Sequence, residues 1–397
     1  MSASINKTKA IISIMAVAFL MMGVGATSPA LASIGRAFPD ITSTLIMLIA
    51  TLPPLVLVPF SILTGKLAGD KVKYRTLAVI GVIFFVIGGT VPYFLSDFTV
   101  ILFMRALLGV GLGFITPLSG ALVMNLFSGH ERENLMGISN LIASVGGIVF
   151  QIVGGLLCAI NWRDTFLIYL IGVAVLIIVV LMLPEPSISQ GKESGNAPEK
   201  VKMNIVVYMW AVFYLIFILL TYPMLTGISG LILENNYGTA ATAGVTLTMW
   251  TVGSMIGGAI FGKVVQTISR YVITLSLVFC AIGYVFIIIG IGGGLMFFNI
   301  GTTVFGVGAG LIAPGVMYYA GLAVRPAGRA MVMGLVMAFM NLGGFLSAFF
   351  FSFVESLFHI TADNFPFAFG AVCFIAFAVI YGIFVISQSK KKKYVSV

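Results

Sequence analysis

The chain has 397 residues, of which 60% are hydrophobic and only 8% charged, with a mean hydropathy of +1.15. A water-soluble domain carries about 25% charged residues, so this composition excludes a soluble enzyme, and it is too apolar for a disordered or collagen-like chain. A net charge of +9 would suggest nucleic acid in a soluble protein, but in a membrane chain the placement of charge matters more than its sum, and no nucleic-acid partner is expected.

A helix needs about 20 mainly apolar residues to cross a bilayer. Cutting the sequence at its charged and turn-rich breaks gives a first span at 10–33, behind Lys7 and Lys9. It imitates a secretory signal, with Ala30-Leu31-Ala32 in the place of a cleavage site, but its apolar run is too long for a signal core and it is expected to stay. Five more spans follow at 43–65, 76–95, 99–125, 134–159 and 165–183. Residues 184–204, with Pro184, Pro186, Ser187, Ser189, Gly191, Ser194, Gly195 and Pro198 among mixed charges, read as a flexible linker. Six further spans lie at 205–232, 241–262, 271–290, 294–322, 330–354 and 364–388. The reading is therefore an all-α integral membrane protein of twelve transmembrane helices, with a bundle at 1–183, a linker at 184–204, a second bundle at 205–389 and a basic tail at 390–397.

Lys and Arg set the orientation. With the N-terminus inside, Lys7, Lys9, Lys66, Lys71, Lys73, Arg75, Arg132, Lys192, Lys200, Lys202, Lys263, Arg270, Arg325, Arg329 and Lys390 to Lys393 are cytoplasmic, and only Arg36 and Arg163 fall outside. Both termini are expected in the cytoplasm of a cell-membrane protein, with the run at Lys390–Lys393 against anionic lipid. The three cysteines, Cys158, Cys280 and Cys373, lie far apart in apolar runs, which argues against a disulfide or a metal site. No cofactor is expected.

The halves repeat. Shifted by 197 residues, Gly109-Val110-Gly111 meets Gly306-Val307-Gly308, Gly113 meets Gly310, Ile115 meets Ile312 and Pro117 meets Pro314. Gly65-Lys66 meets Gly262-Lys263, Arg132 meets Arg329, and Gly146-Gly147 meets Gly343-Gly344. Two six-helix halves of the same orientation imply a pseudo-twofold axis along the membrane normal, an arrangement that places a solute site near the midplane. The stripes Gly109/Gly113 and Gly306/Gly310 are expected to be close packing faces between helices.

This architecture and its local motifs resemble the major facilitator superfamily, nearest to the bacterial drug and metabolite efflux branch. The loop Gly65-Lys66-Leu67-Ala68-Gly69-Asp70-Lys71-Val72-Lys73-Tyr74-Arg75 is similar to the family's G-x-L-A-D-R-x-G-R-R/K, with the acid one residue late and Lys73 in place of glycine. The resemblance implies a cytoplasmic gate at Gly65, Asp70 and Arg75, the acid capping a neighbouring helix. Arg105-Ala106-Leu107-Leu108-Gly109-Val110-Gly111 resembles the R-x-x-x-G-x-G of proton-coupled members. In span five, Gly137, Gly146, Gly154 and Gly155 match the antiporter motif, but Phe150-Gln151 stand where Gly-Pro belongs.

None of the twelve acids falls deep in a span, and neither His130 nor His359 does. No enzyme motif, catalytic pair or phosphate-binding loop is present, so the chain does not read as an enzyme. Arg105 is the one charge inside a span, and it is either a ligand for a carboxylate or phosphate or a packing residue bonded to backbone oxygens. Thr27, Thr116, Gln151, Tyr222, Trp250, Asn299, Thr302, Tyr318 and Asn341 complete a candidate solute cavity. The expected activity is secondary transport of a small organic anion or amphiphilic metabolite by alternating access, either as a uniporter or coupled to protons or a counter-solute. A proton-coupled multidrug exporter and a non-transporting receptor or scaffold are the alternatives. The chain is expected to act as a monomer in the bilayer.

Overall fold

The computed structural model describes residues 6–69, 71–186, 204–324, 329–359, 362 and 364–395. Among them, 12 helical stretches are long and apolar enough to cross a membrane. Lipid offers backbone N–H and C=O groups no partner, so each apolar run closes its bonds within its own helix. The first span is α1 (Lys7–Leu20) and α2 (Leu31–Ala37), joined by a 3-10 segment, Gly23–Ala30. Then come α3 (Ser43–Leu67), α4 (Tyr74–Thr90), α5 (Phe98–Leu126), α6 (Gly129–Ile160) and α7 (Ile171–Met182), the last preceded by a 3-10 segment at Trp162–Leu170. Beyond residue 203 follow α8 (Ile205–Thr221), α9 (Pro223–Glu234), α10 (Ala240–Ile268), α11 (Tyr271–Gly293), α12 (Leu295–Leu322), α13 (Arg329–Phe358) and α14 (Phe365–Val395).

Two spans differ in kind from the sequence reading. The first is not one helix, because Gly23 and Gly25 are poor helix formers and Pro29 removes a donor. The seventh breaks between Tyr222 and Pro223. Pro223 has no N–H for the Leu219 carbonyl, and the Ser347 hydroxyl bonds that carbonyl instead at 2.7 Å. The twelfth span, Phe365–Ser387, ends where expected, but its helix α14 runs on through Lys390–Lys393 to Val395. Most of the 184–204 linker lies outside the described residues.

The chain divides into two compact units, Met1–Val201 and Lys202–Val397. In the first, α5 packs against α3 through glycines. A Cβ added at Gly109 would stand 2.5 Å from the Pro53 carbonyl oxygen, and one at Gly113 would stand 2.8 Å from that of Leu57. In the second, Cβ atoms at Gly306 and Gly310 would run into the carbonyl oxygens of Trp250 and Ser254. These are the same pairs moved by 197 residues. The core of the second unit is aromatic: Tyr284 stacks on Phe305 at 4.6 Å and meets Phe367 and Phe374 edge-on or tilted.

Helix starts are set by local chemistry. Asp97 caps α5 by accepting from the Thr99 and Val100 N–H groups at 2.7 and 3.1 Å. Thr239 and Thr242 form a capping box at the start of α10. Gly294, at φ +97°, makes the sharp turn from α11 to α12 that a side chain would strain.

Candidate functional site

A buried polar cluster lies in the first unit, around Arg105 of α5. Its side chain has no exposed surface, and each of its nitrogens donates a bond to protein. Nε bonds the Ile49 carbonyl of α3 at 2.9 Å, Nη1 the Tyr169 hydroxyl at 2.9 Å, and Nη2 the Thr27 hydroxyl at 3.3 Å. The guanidinium carbon sits 5.3 Å from the centre of the Tyr169 ring. Tyr169 in turn donates to the Gly23 carbonyl at 2.9 Å. Phe85 and Phe150 pack against the Tyr169 ring, which keeps the cluster apolar at its rim.

One guanidinium thus ties together four spans: the first through Thr27, the second through Ile49, the fourth that carries it and the sixth through Tyr169. A lone charge in lipid is expensive, and charge-assisted bonds from a planar fork are the strongest available to offset it. The sequence leaves Arg105 open between solute ligand and packing residue, and the bonds observed are those of the second.

At the repeat-equivalent position of the second unit stands Thr302, fully buried, with its hydroxyl on the Asn299 carbonyl of its own helix at 3.1 Å. Thr303 bonds the same carbonyl at 2.7 Å, and the Asn299 side-chain oxygen accepts from Thr246 of α10 at 2.9 Å. Thr246 is the repeat equivalent of Ile49. Beside this neutral cluster, Leu295, Met296, Asn299, Ile300, Thr303 and Val304 line an open groove of about 510 Å³.

The remaining candidates scatter. Gln151 is buried, and it faces the 3-10 segment at Gly25. The Thr116 hydroxyl and the Trp250 indole N–H are buried with no bonded partner. Tyr222 stands at the α8–α9 break, its ring against Gly344. Asn341 bonds the Met337 carbonyl one turn back on α13 at 2.8 Å, and Tyr318 is 48% exposed. Asn299 and Tyr318 are 19 residues apart on α12, about 28 Å at 1.5 Å per residue, so one small solute does not touch both.

Gly65, in the last turn of α3, has open space where a Cβ would stand, and Asp70, in the turn that follows, lies outside the described residues. Arg75 donates from its guanidinium to the Val180 carbonyl of α7. The carboxylate observed capping a helix here is Glu185, just past α7, which accepts from the Tyr74 and Arg75 N–H groups at 2.7 and 3.0 Å. This loop is therefore fastened to the sixth span of its own unit. The sequence reading missed Glu185, placing it in the linker, and missed Tyr169 and Thr246 because single aromatics and threonines in apolar runs carry no spacing signal. Among the described residues no group of three or more His, Cys, Asp or Glu could hold a metal ion.

Twelve long apolar helices define a multi-pass membrane protein. The family model described as Major Facilitator Superfamily matches residues 13–234, more than half of the chain, and the protein belongs to that family. It is 25% identical over 136 residues to the riboflavin transporter RibZ of Clostridioides difficile, covering 34% of this chain and 30% of that protein. To the quinolone resistance protein NorA of Staphylococcus aureus it is 23% identical over 252 residues, 62% of each chain. The match to the multidrug transporter protein MdtP of Bacillus subtilis is 27% over 119 residues, covering 30% of this chain and 22% of that one. The chain thus spans under two thirds of these relatives' lengths. Among solved structures, a bacterial homologue of the human lysosomal transporter Spinster superposes with a TM-score of 0.71 at 14% identity over 98% of both chains. A D-xylose–proton symporter does so with a TM-score of 0.71 at 14% identity, over 94% of this chain and 95% of that one. At these identities the likeness speaks for the fold alone.

Proposed function

We propose that the chain is a secondary transporter of the cell membrane, with both termini cytoplasmic, that moves a small organic anion or amphiphilic metabolite by alternating access. Membership of the family supports transport, and the observation that carries the solute class is the inventory of buried charge. Among the described residues, the one charged side chain that is buried is Arg105, whose nitrogens are all bonded to protein, so what favours an anion or neutral solute is the lack of an embedded acid. The other membrane-embedded candidates, Thr116, Trp250, Asn299, Thr302 and Thr303, are neutral hydrogen-bonding groups. Cationic solutes are held by intramembrane carboxylates, and the described acids stand outside the helices or within five residues of a helix end. The names of two relatives refer to riboflavin and quinolones, planar aromatic compounds that fit an amphiphilic solute.

The test is flux into liposomes holding the purified protein, with a panel of organic anions, amphiphiles and cationic drugs. Counterflow of an anion or a neutral amphiphile is expected, with little for permanent cations. Absence of flux for the whole panel sinks the reading in favour of a receptor or scaffold. A second reading is a proton-coupled multidrug exporter, its drug part favoured by the names of the multidrug transporter MdtP and the quinolone resistance protein NorA. It predicts drug flux that follows an imposed pH gradient.

A further inference from the structure

The first helix of each unit is broken, and at the same place in the repeat. In the first unit the 3-10 segment begins at Gly23, and in the second the break falls between Tyr222 and Pro223. The carbonyl three residues before Pro223 is that of Leu220, which is the 197-shifted equivalent of Gly23. Both carbonyls are bonded by a buried tyrosine hydroxyl. Tyr169 donates to Gly23 at 2.9 Å, and Tyr284 donates to Leu220 at 2.6 Å, with Thr221 a further acceptor at 3.3 Å. The two tyrosines are not themselves equivalent: one precedes α7, the other lies in α11. Two unrelated positions in the sequence arrive at one carbonyl.

Each tyrosine is built in. Both have no exposed surface. The Tyr169 ring lies where a Cβ at Gly89 would collide with it, and the Tyr284 ring would stand 2.5 Å from a Cβ at Gly370. Leaving a carbonyl unbonded inside a membrane costs several kcal/mol, and a helix that departs from regular bonding frees such groups. Non-α segments within spans are where a helix bends or reshapes.

We infer that Gly23–Ala30 and the Tyr222–Pro223 break are equivalent hinges of the first helix in each half, and that Tyr169 and Tyr284 are the positioning residues that fix them. Each hydroxyl adds a side-chain bond to the carbonyl at its break and releases it when the hinge reshapes. The link to a transport cycle rests on the transporter reading above; the hinge assignment does not. At the first hinge the Tyr169 hydroxyl also accepts from Arg105.

Tyr169→Phe and Tyr284→Phe remove one hydroxyl each and keep the ring. Hydrogen exchange of the full-length protein in detergent or nanodiscs reads the hinges directly. Tyr169→Phe should speed exchange about fivefold or more across residues 23–30, with a smaller rise confined to the Arg105 contacts it also weakens, and Tyr284→Phe should do so across residues 218–226 with the rest of the second unit unchanged. Tyr214→Phe, a buried tyrosine away from both carbonyls, is the control and should leave both segments alone. Once a transported solute is in hand, both hinge variants should lower the maximal flux at least fivefold with little change in half-saturating concentration. Exchange that rises evenly through a unit, or that stays at the wild-type rate in both segments, overturns the assignment. A wild-type protein without flux for any solute removes the transporter reading, and the exchange data still decide the hinges.

Discussion

In the first unit the fourth span carries Arg105, whose nitrogens reach the first, second and sixth spans. In the second unit the same repeat position is Thr302, whose hydroxyl turns back onto its own helix. The helix packing beneath them is alike: Gly109 against Pro53 and Gly306 against Trp250, Gly113 against Leu57 and Gly310 against Ser254. Close helix contact therefore needs only small residues at a fixed spacing, and the two halves share it. Polar fastening is free to differ once the packing is set. The first unit uses a buried charge and the 3-10 segments at Gly23–Ala30 and Trp162–Leu170, and the second uses a proline break repaired by hydroxyls from Ser347 and Tyr284.

Replacing Arg105 tests that difference hardest. Arg105→Ala removes the donors to Ile49, Tyr169 and Thr27 together, at roughly 1.5–3 kcal/mol for each charge-assisted bond. We expect a loss of more than 10 °C in melting temperature and several-fold less folded protein, read by fluorescence-detected gel filtration. Arg105→Lys keeps the charge but offers one ammonium for three acceptors, and it should fall between the wild type and Arg105→Ala. An Arg105→Ala protein as stable as the wild type would break the contrast, and with it the fastening role.

Adding one methyl to the shared packing should affect both halves alike. Gly109→Ala and Gly306→Ala each drive a Cβ into a neighbouring carbonyl, which costs about 1–3 kcal/mol in a well-packed interior. Matching drops in melting temperature would sharpen the view that packing is common to the halves. A clear inequality would show that one helix pair yields where the other does not.

Smaller effects belong to single bonds. Ser347→Ala leaves the Leu219 carbonyl without its hydroxyl, and Glu185→Gln weakens the carboxylate cap on α4; each is expected to cost about 1 kcal/mol. The Glu185 effect should shrink in high salt because that site is partly open, while the Ser347 effect should not. Thr302→Ala stands last. Its bond lies within its own helix, and a shift above about 1 kcal/mol would mean that the second unit leans on this position as the first leans on Arg105.

The sequence by itself determined the spans, because lipid demands about 20 apolar residues for each crossing and the charged breaks mark where each one stops. It determined the repeat and, in Gly109, Gly113, Gly306 and Gly310, the residues that close packing requires. It singled out Arg105, since a charge inside a span is conspicuous wherever it points. Only the tertiary structure decided what Arg105 touches, because its partners lie 56, 64 and 78 residues away along the chain, and one of them is a backbone carbonyl that carries no side-chain signature. The same holds for Glu185 at the start of α4, 111 residues from Tyr74, and for the tyrosines at Gly23 and Leu220. Apolar periodicity fixes where a helix runs. Which freed carbonyl a distant hydroxyl will find depends on how the helices cross, and that is set by packing in three dimensions.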